Sequence, residues 1–196
     1  SNVLEALREP LEERIITVSR AQGTIAFPAH IILVGAMNPC PCGHLNNPPH
    51  ECVCTPGQIT KYQRKISGPL LDRIELFIEV PAVEIRKIDE EHRETDEAEA
   101  IRQRVGRARG IQSERFKNEK KLTNSEMGLR EIKKYCPLNE ETKKLLRQAY
   151  EKYAMSVRSY YRTVKIARTI TDLAGSQNIE APHLLEALQY RARVEV

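Results

Sequence analysis

The stretch Ile31-Ile32-Leu33-Val34-Gly35-Ala36-Met37-Asn38-Pro39-Cys40-Pro41-Cys42-Gly43 decides how the rest of the chain is read. From Ile31 to Met37 the run is continuously apolar, and it stops at an Asn-Pro turn signal. A short, uninterrupted run of this kind predicts a strand buried on both faces of a parallel sheet. Asn38 then falls at the strand's C-terminal end, the edge at which open α/β sheets bind ligands. Its amide both donates and accepts, so it suits orienting a water or touching a phosphate; a plain Asn-Pro turn is the other reading.

Outward from this strand, Leu4, Leu7 and Leu11 give Val3 to Glu13 a helical period, while Ile15–Ser19 and Thr24–Phe27 flank Gly23 like a hairpin. Downstream, Ile74, Leu76, Ile78 and Val80 alternate with Glu75, Phe77 and Glu79 until Pro81, which predicts a strand near a sheet edge. Later the text becomes helical. Thr95 caps a long polar helix with an apolar stripe of Ile101, Val105, Ala108 and Ile111, read as a connector. Its sign reverses along its length: Glu84 to Glu99 holds eight acidic residues against three basic, and Ala100 to Lys121 eight basic against two acidic. Ser125 caps a helix to Tyr135, Pro137 breaks it, and Asn139 opens another containing Leu145, Leu146 and Ala149. Two more follow, from Ser156 to Gly175 and from about Pro182. The fold class is therefore α/β followed by all-α: residues 1–83, a connector at 84–124 and a four-helix unit at 125–196.

Composition agrees with a globular chain. Of 196 residues 40% are hydrophobic and 30% charged, the net charge is +4, and no run approaches the length of a membrane span. The N-terminus has no signal-peptide core, so a cytoplasmic parent without membrane contact is expected.

Cys40-Pro41-Cys42 and Cys52-Val53-Cys54 form two Cys-x-Cys pairs nine residues apart, with His44 and His50 between them. Four thiolates in one loop suit a tetrahedral structural zinc ion; reduced structural thiols or disulfides are the alternatives. Cys136 reads as a buried apolar residue. Arg73, after Gly68-Pro69-Leu70-Leu71-Asp72, offers a donor fork for a phosphate or an ion pair with Asp72 or Glu75. Arg158, Arg162 and Lys165 share one helix face, which is either a solvated stripe or a site for an anionic ligand.

Taken together, Ala36-Met37-Asn38-Pro39-Cys40-Pro41-Cys42-Gly43, Cys52, Cys54 and Ser67-Gly68-Pro69-Leu70-Leu71-Asp72-Arg73-Ile74 closely resemble the ComM/YifB family. These are AAA+ ATPases related to the magnesium chelatase I subunit and, more distantly, to the MCM helicases. Ser156-Val157-Arg158-Ser159-Tyr160, Ala167-Arg168-Thr169-Ile170 and Ala187-Leu188-Gln189-Tyr190-Arg191 extend the resemblance over nearly the whole chain, with only Ser1-Asn2 outside it. It implies that Asn38 is the sensor 1 asparagine, Arg73 an arginine finger acting on a neighbouring subunit's nucleotide, and Arg158 the sensor 2 arginine of a helical lid. A finger in trans implies a homo-oligomeric ring, in this family a hexamer. The Ile15–Phe27 hairpin resembles the pore hairpin that grips DNA, with Arg20 near its tip as the phosphate contact or else a plain surface arginine.

One departure is large. No Gly-x-x-x-x-Gly-Lys-[Ser/Thr] occurs, and no acidic pair follows a strand before Val3. The chain is therefore read as the C-terminal part of a longer protein, which would hold ATP and Mg2+; alone it is expected neither to bind ATP tightly nor to hydrolyse it. Three functions stand at this point: a ring-forming ATPase that remodels DNA in recombination, a chelatase-like motor inserting metal into a tetrapyrrole, and a noncatalytic zinc-stabilised interaction module.

Overall fold

The computed structural model describes residues 2–45, 50–81 and 94–191. They are mostly helical, with one small sheet, and fall into two compact units, Ser1–Glu75 with Glu79–Ala82, and Leu76–Ile78 with Val83–Val196.

In the first unit the helix expected over Val3–Glu13 is two short ones, α1 (Asn2–Glu5) and α2 (Arg8–Glu13). Pro10 explains the break, because a proline inside a helix clashes with the carbonyl four residues back, here Ala6, which lies in the intervening turn. The hairpin is present. Strands β1 (Ile15–Arg20) and β2 (Gly23–Pro28) pair antiparallel from Ile15↔Pro28 to Arg20↔Gly23, leaving Ala21-Gln22 as the turn. Helix α3 (Pro56–Gln63) starts at Thr55, whose side chain accepts from the Gln58 amide while Gln58 accepts from the Thr55 amide. Helix α4 (Gly68–Leu71) starts at Ser67, which caps the Leu70 amide.

Two expected strands are corrected. Ile31–Met37 forms no strand and is exposed, with Ile32 at 95% and Val34 at 88%. A parallel strand needs a neighbour to complete its backbone ladder, and among the described residues β1 and β2 pair with each other alone. Ile74–Val80 forms no strand either. Phe77 donates its amide to the Tyr190 carbonyl at 3.0 Å, and Leu76, Ile78 and Val80 stay exposed.

The second unit is built on α5 (Glu94–Arg115), α6 (Leu129–Tyr135), α7 (Glu140–Lys152), α8 (Val157–Leu173) and α9 (Ala181–Gln189). Helix α5 begins at Glu94, so Thr95 lies inside its first turn and not at the cap. Ile101, Val105 and Ile111 are exposed, and Ala108 and Gln112 are the buried side of its stripe. Ser125 sits in a 3-10 turn, Asn124–Glu126; α6 starts later because the Glu131 carboxylate reaches back to the Gly128 amide at 2.8 Å. The cap expected at Asn139 is present, its side chain accepting from the Thr142 amide at 2.8 Å. Phe116, Leu146, Val164, Ile179 and Leu184 are the large members of the core, and burial of each is worth roughly 1.5–3 kcal/mol. Cys136 is buried against Met127, as its reading predicted, and desolvation pushes its thiol up to about 11.

Candidate functional site

The cysteine loop begins where Met37 and Asn38 end the exposed segment. Gly43 closes a turn by donating its amide to the Cys40 carbonyl at 3.1 Å, at φ +83°, a left-handed conformation that favours glycine. Gln63 at the end of α3 donates to the Pro39 carbonyl at 3.1 Å, so the capped helix holds the base of the loop. The four sulfurs of Cys40, Cys42, Cys52 and Cys54 lie within 4.8 Å of one another, with 3.3 Å from Cys40 to Cys42, 3.7 Å to Cys52, and 3.6 Å between Cys42 and Cys52. A tetrahedral zinc ion with Zn–S bonds of about 2.3 Å requires sulfurs about 3.8 Å apart, so the donor set fits that ion in kind and in spacing. All five cysteines are free thiols in this structure.

The thiols are not equivalent. The His44 backbone and the Cys40 thiol hydrogen-bond Cys42 and pull it down to about 6, whereas desolvation, added to by Cys42 and Cys40, pushes Cys54 up to about 12.

Asn38 is exposed, and its side-chain nitrogen lies 3.6 Å from where a β-carbon on Gly43 would stand. Arg73 follows α4 and is half-buried, donating to the Pro69 carbonyl at 2.6 Å and pairing with the Glu12 carboxylate. Its Nε is buried with no hydrogen-bond partner among the described residues. The pairing with Glu12, 61 residues away, was invisible to a local reading that considered Asp72 and Glu75. Arg20 sits exposed in the last pair before the hairpin turn.

In the second unit, the basic face expected on α8 divides. Arg158 is exposed in the first turn, but Arg162 is buried and Lys165 donates to the Ser125 carbonyl at 2.9 Å. Sequence reasoning also missed a buried ionic cluster. Asp172 accepts from Arg115 at 2.5 and 2.6 Å, from Asn124 at 2.8 Å and from Arg168 at 3.0 Å. The local signal was the Arg168/Asp172 spacing of one helical turn; its third charge comes from α5.

Comparison with known proteins brings these pieces together. A family model for magnesium chelatase, subunit ChlI, matches residues 1–88, and one for the ChlI C-terminal region matches residues 95–191. Competence protein ComM of Haemophilus influenzae is 42% identical over 194 residues, which is 99% of this chain and 37% of that protein. The chain belongs to the magnesium-chelatase-like ComM/YifB family. Another ComM/YifB relative, the uncharacterized protein YifB of Escherichia coli, is 38% identical over 189 residues, 96% of this chain and 36% of its own. The chain thus spans little more than a third of the length of these ComM/YifB proteins. No helix among its described residues is long and apolar enough to cross a membrane.

Proposed function

We propose that this chain is part of a ring-forming AAA+ ATPase of ComM type that couples ATP hydrolysis to DNA remodelling during recombination of incoming DNA. The observation that carries the reading is the 42% identity to a competence protein over 99% of the chain. In this reading residues 1–83 complete the ATPase core, 84–124 connect and 125–196 form the lid. Ile31–Met37, exposed here, would pair with core strands elsewhere in the longer protein, and that protein would carry the ATP and Mg2+ sites.

The proposed division of labour follows from phosphoryl transfer, which is catalysed by positioning and by positive charge placed against the transferring phosphoryl group. Asn38, whose amide can both donate and accept, orients the attacking water. Arg73 supplies charge to the nucleotide of the neighbouring subunit, which requires it to leave Glu12. Arg158 supplies charge from the lid, and Arg20 touches the DNA backbone. Cys40, Cys42, Cys52 and Cys54 hold a structural zinc ion; with four protein ligands the site is closed, and its work is to brace the loop beside Asn38.

The test is ATP turnover by the longer protein with and without forked or four-way DNA, and by its Arg73→Ala variant. DNA-stimulated turnover that Arg73→Ala abolishes is the expected result. Turnover indifferent to DNA would transfer the assignment to a chelatase-like motor acting on a tetrapyrrole, the reading favoured by the descriptions of both matching family models. A folded longer protein without turnover would leave the noncatalytic zinc-stabilised module.

A further inference from the structure

The basic run from Arg115 to Lys121 has no part in the assignments above. It folds with the C-terminal end of α5 and one face of α6 around a cleft of about 510 Å3. The walls are held firmly. Phe116 is buried at 2% exposure, Tyr135 meets it edge-on at 5.5 Å, the Glu119 amide closes a turn onto the Phe116 carbonyl at 2.8 Å, and the Tyr135 hydroxyl donates to Glu119 at 2.6 Å.

The cleft carries more cations than its own carboxylates can match. Glu114 pairs with Lys117, Glu119 with Lys134 at 3.4 Å, and Glu131 with Lys121 at 2.9 Å, while Arg115 is committed to the buried Asp172. Lys120 and Arg130 are exposed and make no ion pair or hydrogen bond with any described residue. Two positive charges therefore face the cleft without a counter-charge among the described residues, beside Tyr135, whose ring also carries the Lys134 ammonium at 4.5 Å. Upstream on α5, Arg104 and Arg107 are exposed within a quarter turn of Arg115 and extend the positive surface by about 16 Å of helix, while Arg109 and Arg102, the latter paired with Glu99, fall on other sides.

From this geometry we infer that the cleft between the end of α5 and α6 binds the phosphodiester backbone of a nucleic acid, with Lys120 and Arg130 as the phosphate contacts. A lysine-rich lining with few apolar groups is depleted at protein interfaces and typical of nucleic-acid ones. A single small anion would not use positive charges that run on along a helix, whereas a polymer would. This rests on the DNA-motor reading for the class of polymer and adds a second contact surface, in the helical unit, to that of Arg20.

Fluorescence anisotropy of a labelled single-stranded 20-mer titrated with the full chain tests the inference. The variant is Lys120→Gln with Arg130→Gln, two exposed positions whose replacement should leave thermal unfolding unchanged. Binding should weaken tenfold or more at about 0.1 M salt, and the slope of log K against log salt should shrink by about 1.4, the value for two lost phosphate contacts on a single strand. Unchanged affinity and slope in the double variant would overturn the inference, as would no DNA binding by the wild-type chain. Tighter binding of a polyglutamate of equal length at equal salt would overturn it in favour of an acidic protein partner. DNA-stimulated ATP turnover of the longer protein reads the motor proposal separately, so loss of one need not be loss of the other.

Discussion

Replacing Asp172 by alanine should unfold the second unit far more readily, although no reaction step is assigned to Asp172. Its side chain is fully buried, and the two arginines that face it are 11% and 4% exposed, so solvent screens the pairs little. Charge-assisted hydrogen bonds are each worth about 1.5–3 kcal/mol, and summing those made to Asp172 would approach the whole net stability of a domain. The bonds are not additive, and the applicable figure is the cost of removing one partner from a buried ionic cluster, about 3–5 kcal/mol. Arg168 keeps the Gln177 and Ser176 carbonyls at 2.8 and 3.1 Å, and Arg115 keeps Asn124 at 2.7 Å, which favours the lower end of that range. With an m-value of about 2 kcal/mol/M, the urea midpoint followed by helical circular dichroism should fall by about 1.5 M. A double-mutant cycle with Arg115→Met should return a coupling of at least about 1 kcal/mol. A loss below about 1 kcal/mol in Asp172→Ala would falsify the claim that this cluster ties α5 to α8.

Three further outcomes follow from the geometry. Burial alone would raise the Asp172 pKa, but Arg115, Asn124 and Arg168 outweigh it and the folded value lies below that of the unfolded chain. Its contribution is therefore complete above the ordinary aspartate value near 4 and lost as pH falls through the lower folded value; the stability gap between wild type and Asp172→Asn should be constant from pH 7 to 5 and close below pH 4. Helices α7 and α8 end in the same double-bonded turn, Met155 to the Tyr150 carbonyl and Ser176 to that of Thr171, but the left-handed residue is Ala154 (φ 45°) in one and Gly175 (φ 70°) in the other. Ala154→Gly should thus raise the melting free energy by roughly 0.5 kcal/mol and Gly175→Ala lower it by about 1, and equal signs in thermal melts would refute the argument. Elemental analysis of the purified chain should find one zinc per chain, lost in Cys40→Ser with Cys54→Ser; a stable wild-type protein without metal would remove the zinc assignment.

Much of the helical unit was legible because its signals are local. Asn139, Ser156 and Gly175 bracket their helices through bonds that reach no more than five residues, and the hairpin needed only two apolar runs around Gly23. The four cysteines announced their cluster by type and spacing, since thiols in one short loop must come close whatever surrounds the loop. Ile31–Met37 is apolar as read, but it forms no strand and is exposed, because a strand's pairing and burial depend on a neighbouring strand that no single stretch specifies.

By itself, then, the sequence determined the caps at Asn139 and Ser156, the hairpin, the thiol cluster and the family. Tertiary structure alone decided which charges meet. Arg73 finds Glu12 across 61 residues, Asp172 gathers arginines from two helices, Arg162 is buried while Arg158 on the same helix face is exposed, and Lys120 and Arg130 are left facing a cleft with no counter-charge among the described residues. The physical reason is that side-chain charge has no preferred partner at short range. An ion pair forms where packing of the apolar residues brings two elements together, and that packing is a property of the whole unit.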